Sequence, residues 1–168
     1  KTTVTGCDEV ALSQVLYHFK ADNFNPYTIE YKDERSLAEV SVNFGQQHFK
    51  YDKMLDVYTE GNYTQEQADA VAEMMYVTGA SALMKWSDEK SSGQWPLVSL
   101  DKYFNFNATF LIRKSLPTGY WMKKIQENLT AGKPILYTGA GVSSSKWSQH
   151  IFVLDGIDEN NYVHVNWG

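Results

Sequence analysis

Thr5-Gly6-Cys7-Asp8-Glu9-Val10-Ala11-Leu12-Ser13-Gln14-Val15-Leu16-Tyr17-His18-Phe19-Lys20 is the stretch from which the rest of the chain can be read. Ala11, Leu12, Val15, Leu16 and Phe19 recur at helical spacing and form one apolar stripe, which predicts a helix over residues 8–20. Asp8 and Glu9 in its first turn and Lys20 at its last suit the helix macrodipole. Gly6 allows the chain to turn tightly into the helix, so Cys7 falls at the helix N-terminus, where unsatisfied amides and the dipole favour an anion. Cys7 is the only cysteine, which excludes an internal disulfide and a cysteine-based zinc site. On spacing alone its thiol is an inert buried group, a reactive surface group or a catalytic nucleophile, and a lone cysteine is more often a small buried hydrophobe.

The 168 residues suit one domain, and no repeat, low-complexity tract or linker divides them. The chain is 43% hydrophobic, with eight Phe, five Trp and eleven Tyr, enough to build a real core. At 21% charged residues a disordered polyampholyte is excluded, and a net charge of −5 argues against nucleic-acid binding. No apolar run approaches the roughly 20 residues of a membrane-spanning helix. The opening Lys-Thr-Thr-Val-Thr has no hydrophobic signal segment, so any export signal has been removed or was never present.

Thr64 and Gln67 form a capping box that opens a second helix, expected to bury Ala68, Val71, Ala72, Met75 and Tyr76 and to stop at Gly79. Shorter helices are expected over residues 96–103 and 120–129, the latter with Trp121, Met122, Ile125 and Leu129 on one face and Gly132 as its stop. Residues 87–93 and 139–148 read as loops. Strands are expected over 134–138, 150–154 and 162–166, with Asp155-Gly156 and residues 158–161 connecting the last two as an antiparallel hairpin. Helices first and antiparallel strands last make an α+β arrangement.

A nucleophilic cysteine needs a histidine base. His18 lies about three turns along the first helix from Cys7, too far to touch it, and His48 sits in a polar stretch that reads as surface. His150 and His164 both fall in the terminal hairpin. Period-2 alternation places His150 beside Phe152 and Leu154, and His164 beside Tyr162 and Asn166. His150 starts its strand straight after the Gly/Ser loop, where a side chain can point into a cleft, and position favours it as the base. Asn166 could orient its imidazole.

Taken together these segments resemble the streptopain family of bacterial cysteine peptidases, which has a papain-like α+β fold. Thr5-Gly6-Cys7 with Gln14 and Tyr17 looks like that family's nucleophile segment. Gln149-His150-Ile151-Phe152-Val153-Leu154-Asp155-Gly156 and Tyr162-Val163-His164-Val165-Asn166-Trp167-Gly168 look like its histidine hairpin. Tyr51-Asp52-Lys53-Met54-Leu55, Ala72-Glu73-Met74-Met75 and Ala131-Gly132-Lys133-Pro134-Ile135-Leu136-Tyr137 have counterparts in the same order. The resemblance implies a helical part carrying the nucleophile helix and an antiparallel part carrying the His/Asn hairpin. It implies Cys7 as nucleophile, His150 as base and acid, Asn166 orienting the imidazole and Trp167 shielding the pair. Trp167, Gln149, Ser92 and Gly93 would line the substrate. The implied reaction is peptide hydrolysis through an acyl-enzyme, with no metal and no cofactor. Protein or peptide substrates, a propeptide or a protein inhibitor are the implied partners, with no nucleic acid and no membrane insertion. The implied setting is a bacterial secreted, periplasmic or cell-surface enzyme made as a zymogen.

Three features depart from the family pattern. Asp8 and Glu9 stand where small neutral residues usually follow the cysteine; they are expected to point to solvent, and facing the cleft they would disfavour a thiolate or select basic groups. Gln149 replaces a glycine before the histidine. Six residues precede Cys7, whereas the family's oxyanion-hole glutamine lies well upstream, and closing strands usually follow Asn-Trp-Gly. Residues 1–168 are therefore expected to be a single catalytic domain trimmed at both ends. A catalytically silent relative serving as a binding or inhibitory module is the alternative. A transglutaminase-like or amidase domain is a weaker one, since those often use an acid where this chain has Asn166.

Overall fold

The computed structural model describes residues 3–94, 96–143 and 146–168. The chain divides into two compact units, Lys1–Asn107 and Ala108–Gly168. No composition shift marks that division in the sequence.

The first unit opens with α1 (Cys7–Phe19), followed by β1 (Thr28–Lys32), β2 (Glu39–Asn43), α2 (Gln65–Ser81) and α3 (Pro96–Lys102). On α1, Ala11, Leu12, Val15 and Leu16 are buried as the stripe requires, while Phe19 is exposed at its end and edges onto Phe106. Lys20 closes the helix in the left-handed region, its amide reaching back to the Tyr17 carbonyl.

Helix α2 starts at the expected capping box: Gln67 N–H donates to Thr64 Oγ1 at 3.3 Å, and Thr64 N–H donates to Gln67 Oε1 at 2.8 Å. Its inward face differs from the expected one. Ala70, Met74, Val77, Thr78 and Ser81 are buried, whereas Ala72 and Tyr76 are exposed and Ala68, Val71 and Met75 only half-buried. The reason is the polar seam with α1, where Thr78 Oγ1 meets Ser13 Oγ at 2.8 Å and donates to the Glu9 carbonyl. Hydrogen-bonded small polar residues thus occupy a face that apolar counting assigns to solvent. Gly79 does not stop the helix; it lies inside α2, fully packed.

The β1–β2 hairpin is an addition to the sequence expectation. Ile29, Val40 and Val42 face inward while Thr28, Glu30 and Ser41 face out, the period-2 pattern of a half-buried pair. Beneath it the aromatic richness is spent on one cluster: Phe44 stacks on Tyr103 at 4.4 Å, and Phe24 packs against Phe104 and Phe49 at 5.3 and 5.5 Å. The hairpin turn is organised by buried Asp33, whose carboxylate accepts from the Arg35 and Ser36 amides and the Ser36 hydroxyl. It also accepts the Trp86 amide at 3.0 Å. Burial pushes the Asp33 carboxyl up, but these donors outweigh it and hold the group below its ordinary value.

The second unit holds α4 (Thr118–Thr130) against an antiparallel sheet of order β3-β4-β5: β3 (Ile135–Ser143), β4 (Lys146–Ile157) and β5 (Val163–Asn166). Ile125 and Leu129 of α4 pack on Phe152 and Leu154, with Trp121, Met122, Tyr137 and Val165 at the margin. Gly132, at φ +69°, ends the helix as expected. Residues 139–148 are not a loop: β3 and β4 stay paired out to Ser143 and Lys146, and only residues 144–145 of that expectation lie outside the described residues. Asp155-Gly156 is likewise strand rather than turn, with a register shift between Leu154 and Gly156. The turn itself is residues 158–161, where Asp158 Oδ1 accepts the amides of Asn160 and Tyr162. Among the described residues no helix is long and apolar enough to cross a membrane.

Candidate active site

Cys7 is the first residue of α1, half-buried, with Gly6 as the preceding cap. Gly6 has an extended backbone, φ −99° and ψ 156°, that any residue adopts. Glycine here makes room for the end of the buried Met84 side chain, which would have to shift to admit a Cβ. Gly93 is confined in the same way, since its Cβ would stand 2.6 Å from Met84 Sδ and 3.1 Å from Asp8 Cγ.

The segment leading to Cys7 is strapped to residues 85–94. Val4 N–H donates to the Ser87 carbonyl at 2.9 Å, and Ser91 Oγ donates to the Val4 carbonyl at 2.5 Å. Lys85 and Ser92 exchange both backbone hydrogen bonds, which closes the loop and sets Gly93 beside α1. Asp8 Oδ2 accepts the Gly93 amide at 3.3 Å and lies 3.8 Å from the Cys7 sulfur, within reach of its S–H. The first unit therefore brings together Cys7, Ser92 and Gly93, three of the expected site residues.

Asp8 and Glu9 do not point to solvent: they are 6% and 1% exposed. Each carboxylate takes a donor from a distant part of the chain, and Glu9 a local one as well. Glu9 Oε1 accepts the Gly6 amide at 2.8 Å, and Oε2 accepts the Trp86 indole N–H at 2.9 Å. Burial pushes the Glu9 carboxyl up to about 7 against the pull of those two donors, and the charge of Asp8 adds to the rise. Gly79 leaves the room: a Cβ on it would collide with Glu9 Oε2 and stand 2.6 Å from Trp86 Cζ2. Trp86 and Gly79 are the neighbours of Glu9 that the sequence reading missed. The one legible signal was Glu9 three residues after the cap, the spacing of a capping-box acid.

In the second unit His150 lies inside β4 rather than at its start, opposite Gly139. Tyr137 opposes Phe152 in the same register, so His150 continues the Phe152–Leu154 face as alternation requires. Its ring stacks on Phe152 and on Trp167, each at 6.0 Å between centroids, and Nε2 lies 3.1 Å from the Trp167 carbonyl oxygen. Phe152 and Trp167 meet at 4.7 Å, closing the trio. Gly139 serves this arrangement, because a Cβ there would press on the Phe152 ring at 3.1 Å. Asn166 ends β5 opposite Val153, and its Oδ1 accepts the Gly168 amide at 3.2 Å, turning the chain at Trp167. Gln149 is exposed opposite Ala140. His164 is occupied elsewhere, with Nδ1 2.5 Å from Asp155 Oδ1.

A helix-leading cysteine in one unit, and a histidine hairpin closed by Asn-Trp in the other, define the papain-like fold of cysteine peptidases. The likeness to a solved structure is strong: active wild-type interpain A cysteine protease of Prevotella intermedia matches with TM-score 0.87 at 32% identity, over 99% of this chain and 71% of that one. A prointerpain A fragment from the same organism matches with TM-score 0.80 at 30% identity, over 99% and 53%. Streptopain of Streptococcus pyogenes is 27% identical over 180 residues, 98% of this chain and 42% of streptopain. The chain spans well under half the length of that curated relative. The Peptidase C10 family matches residues 1–168 throughout, and the chain belongs to that family.

Proposed function

We propose that this chain is the catalytic domain of a bacterial cysteine endopeptidase. The observation that carries the reading is the placement of Cys7 as the first residue of α1, with the Ser92–Gly93 segment strapped beside it, in a member of a cysteine-peptidase family. Cys7 is the nucleophile and His150 its general base. The thiolate attacks the scissile carbonyl, the sulfur–carbon bond forms, and the imidazolium protonates the departing amine. Water, deprotonated by the same imidazole, then releases the acid and restores the thiol. The Cys7 amide, at the first position of α1 where the helix dipole favours negative charge, serves the tetrahedral oxyanion.

Asn166 orients the imidazole and Trp167 shields it from solvent. Gln149, Ser92 and Gly93 line the bound peptide. Export and synthesis as a zymogen fit this reading, supported by the pro-form of interpain A among the similar structures. The test is replacement and labelling. Cys7→Ala should abolish peptide cleavage, and a thiol-directed epoxide should label Cys7 much faster than an ordinary exposed cysteine.

The buried carboxylates of Asp8 and Glu9 favour a second reading, a silent relative that keeps the fold as a binding module. Slow labelling together with no cleavage of any peptide would select it.

A further inference from the structure

We propose that Glu9 is a positioning residue for the nucleophile, clamping the backbone in front of Cys7 to the loop that carries Ser92 and Gly93. The carboxylate reaches both parts at once. One oxygen holds the N–H of Gly6, the residue immediately before Cys7 in the chain, and the other holds the Trp86 indole at the base of the 85–94 loop. Trp86 is fixed in turn by its own amide on Asp33 and by its ring stacked on Tyr76 at 6.1 Å. Trp86 is thus held at its amide and its ring, and Gly79 of α2 leaves room for the carboxylate against the indole. A cheaper way to fill such a slot is an apolar side chain. A buried carboxylate with two converging N–H donors instead fixes distance and direction, which is what a nucleophile at a helix terminus needs relative to its substrate loop.

The clamp also places charge. Ionised Glu9 stands two residues from the thiol and disfavours the thiolate, while its protonated form is a poor acceptor for one of the two donors. Among the described residues the titratable groups facing it are Asp8 on α1, which lies against the Cys7 thiol, and Tyr31 on β1, whose hydroxyl donates to the Met84 carbonyl. Asp33 acts behind Trp86, and α2 presents Thr78 and Gly79, which do not titrate in this range.

The inference rests on the peptidase reading, and the test separates the two. In the full protein carrying this chain, Glu9→Gln, Trp86→Phe and the double variant are compared for kcat, KM and the pH profile of Cys7 alkylation by iodoacetamide. Each single variant should lower kcat by about tenfold with little change in KM. The double variant should be no worse than the weaker single, because one clamp is broken in both. Glu9→Gln, but not Trp86→Phe, should move the alkylation midpoint to lower pH. An alkylation profile of Glu9→Gln superimposable on wild type, together with single losses that multiply in the double variant, overturns the proposal. A wild-type protein that cleaves nothing sinks the peptidase reading instead, and the alkylation profiles still decide the role of Glu9.

Discussion

Gly79, in the body of α2, lies directly against the Glu9 carboxylate of α1, with the Trp86 indole edge beside that carboxylate. Helix propensity alone would favour Gly79→Ala by about 1 kcal/mol. Here the added methyl enters a slot already filled by a carboxylate and an indole edge, and overpacking of this kind costs about 1–3 kcal/mol. Gly79→Ala is therefore expected to lower stability in chemical denaturation. A stabilised variant would show that the slot is looser than its contacts imply.

The raised Glu9 carboxyl makes stability pH-dependent in a defined direction. The native state keeps the Glu9 proton up to about pH 7, whereas the unfolded chain loses it near 4.5. Stability from this group is therefore full below about 4.5 and is lost as pH rises towards 7, by up to about 3 kcal/mol. Glu9→Gln removes that slope. Denaturation midpoints measured from pH 4 to 8 should converge on the acid side and favour the variant above neutrality; identical slopes in both proteins would refute the assignment.

Asp8 acts on the thiol more directly. Its Oδ2 lies 3.8 Å from the Cys7 sulfur while holding the Gly93 amide. A carboxylate at that distance opposes the thiolate, so Asp8→Asn should speed Cys7 alkylation at pH 6–7 by roughly three- to tenfold. The amide can still accept from Gly93, so the loop should hold. Alkylation that slows in Asp8→Asn would mean the carboxylate takes up the thiol proton rather than repelling the thiolate.

The elements that local chemistry dictates were legible in the sequence. The α1 stripe, the Thr64–Gln67 box, the α4 face, the Gly132 stop and the three late strands all follow from periodicity or capping within a few residues. The same holds for His150 sharing a face with Phe152. What was not legible depends on partners far along the chain. Burial of Asp8 is bound up with an amide 85 residues away, and burial of Glu9 with an indole 77 residues away. No window around Cys7 contains either donor. The α2 face was misread because its buried residues include Thr78, Gly79 and Ser81, whose place inside is earned by Ser13, Glu9 and the backbone rather than by hydrophobicity. Residues 139–148 read as loop because Gly and Ser weaken strand propensity, yet the ladder from Ile135–Leu154 simply continues through them.

The two histidines of the hairpin separate cleanly in their surroundings, and that gives the sharpest prediction about the base. His150 lies against Phe152 and Trp167 with Nε2 3.1 Å from the Trp167 carbonyl oxygen, so in the proposed mechanism Nδ1 takes the thiol proton. His164 is largely exposed and its Nδ1 is taken by Asp155. An exposed pair of this kind contributes little to stability. His150→Ala should therefore reduce peptide cleavage by at least about a thousandfold, as loss of a general base in such a unit does, and should remove the neutral-pH acceleration of Cys7 alkylation. His164→Ala should leave kcat/KM within about twofold. Trp167→Ala should fall between them, since Trp167 is 62% exposed and its loss frees the imidazole while taking one ring contact from Phe152 of the α4–sheet core. Its carbonyl remains, so the loss should be about tenfold in kcat with a small drop in melting temperature. Steady-state kinetics on the three variants decides the matter: a His164→Ala loss as large as that of His150→Ala would move the base to the other histidine.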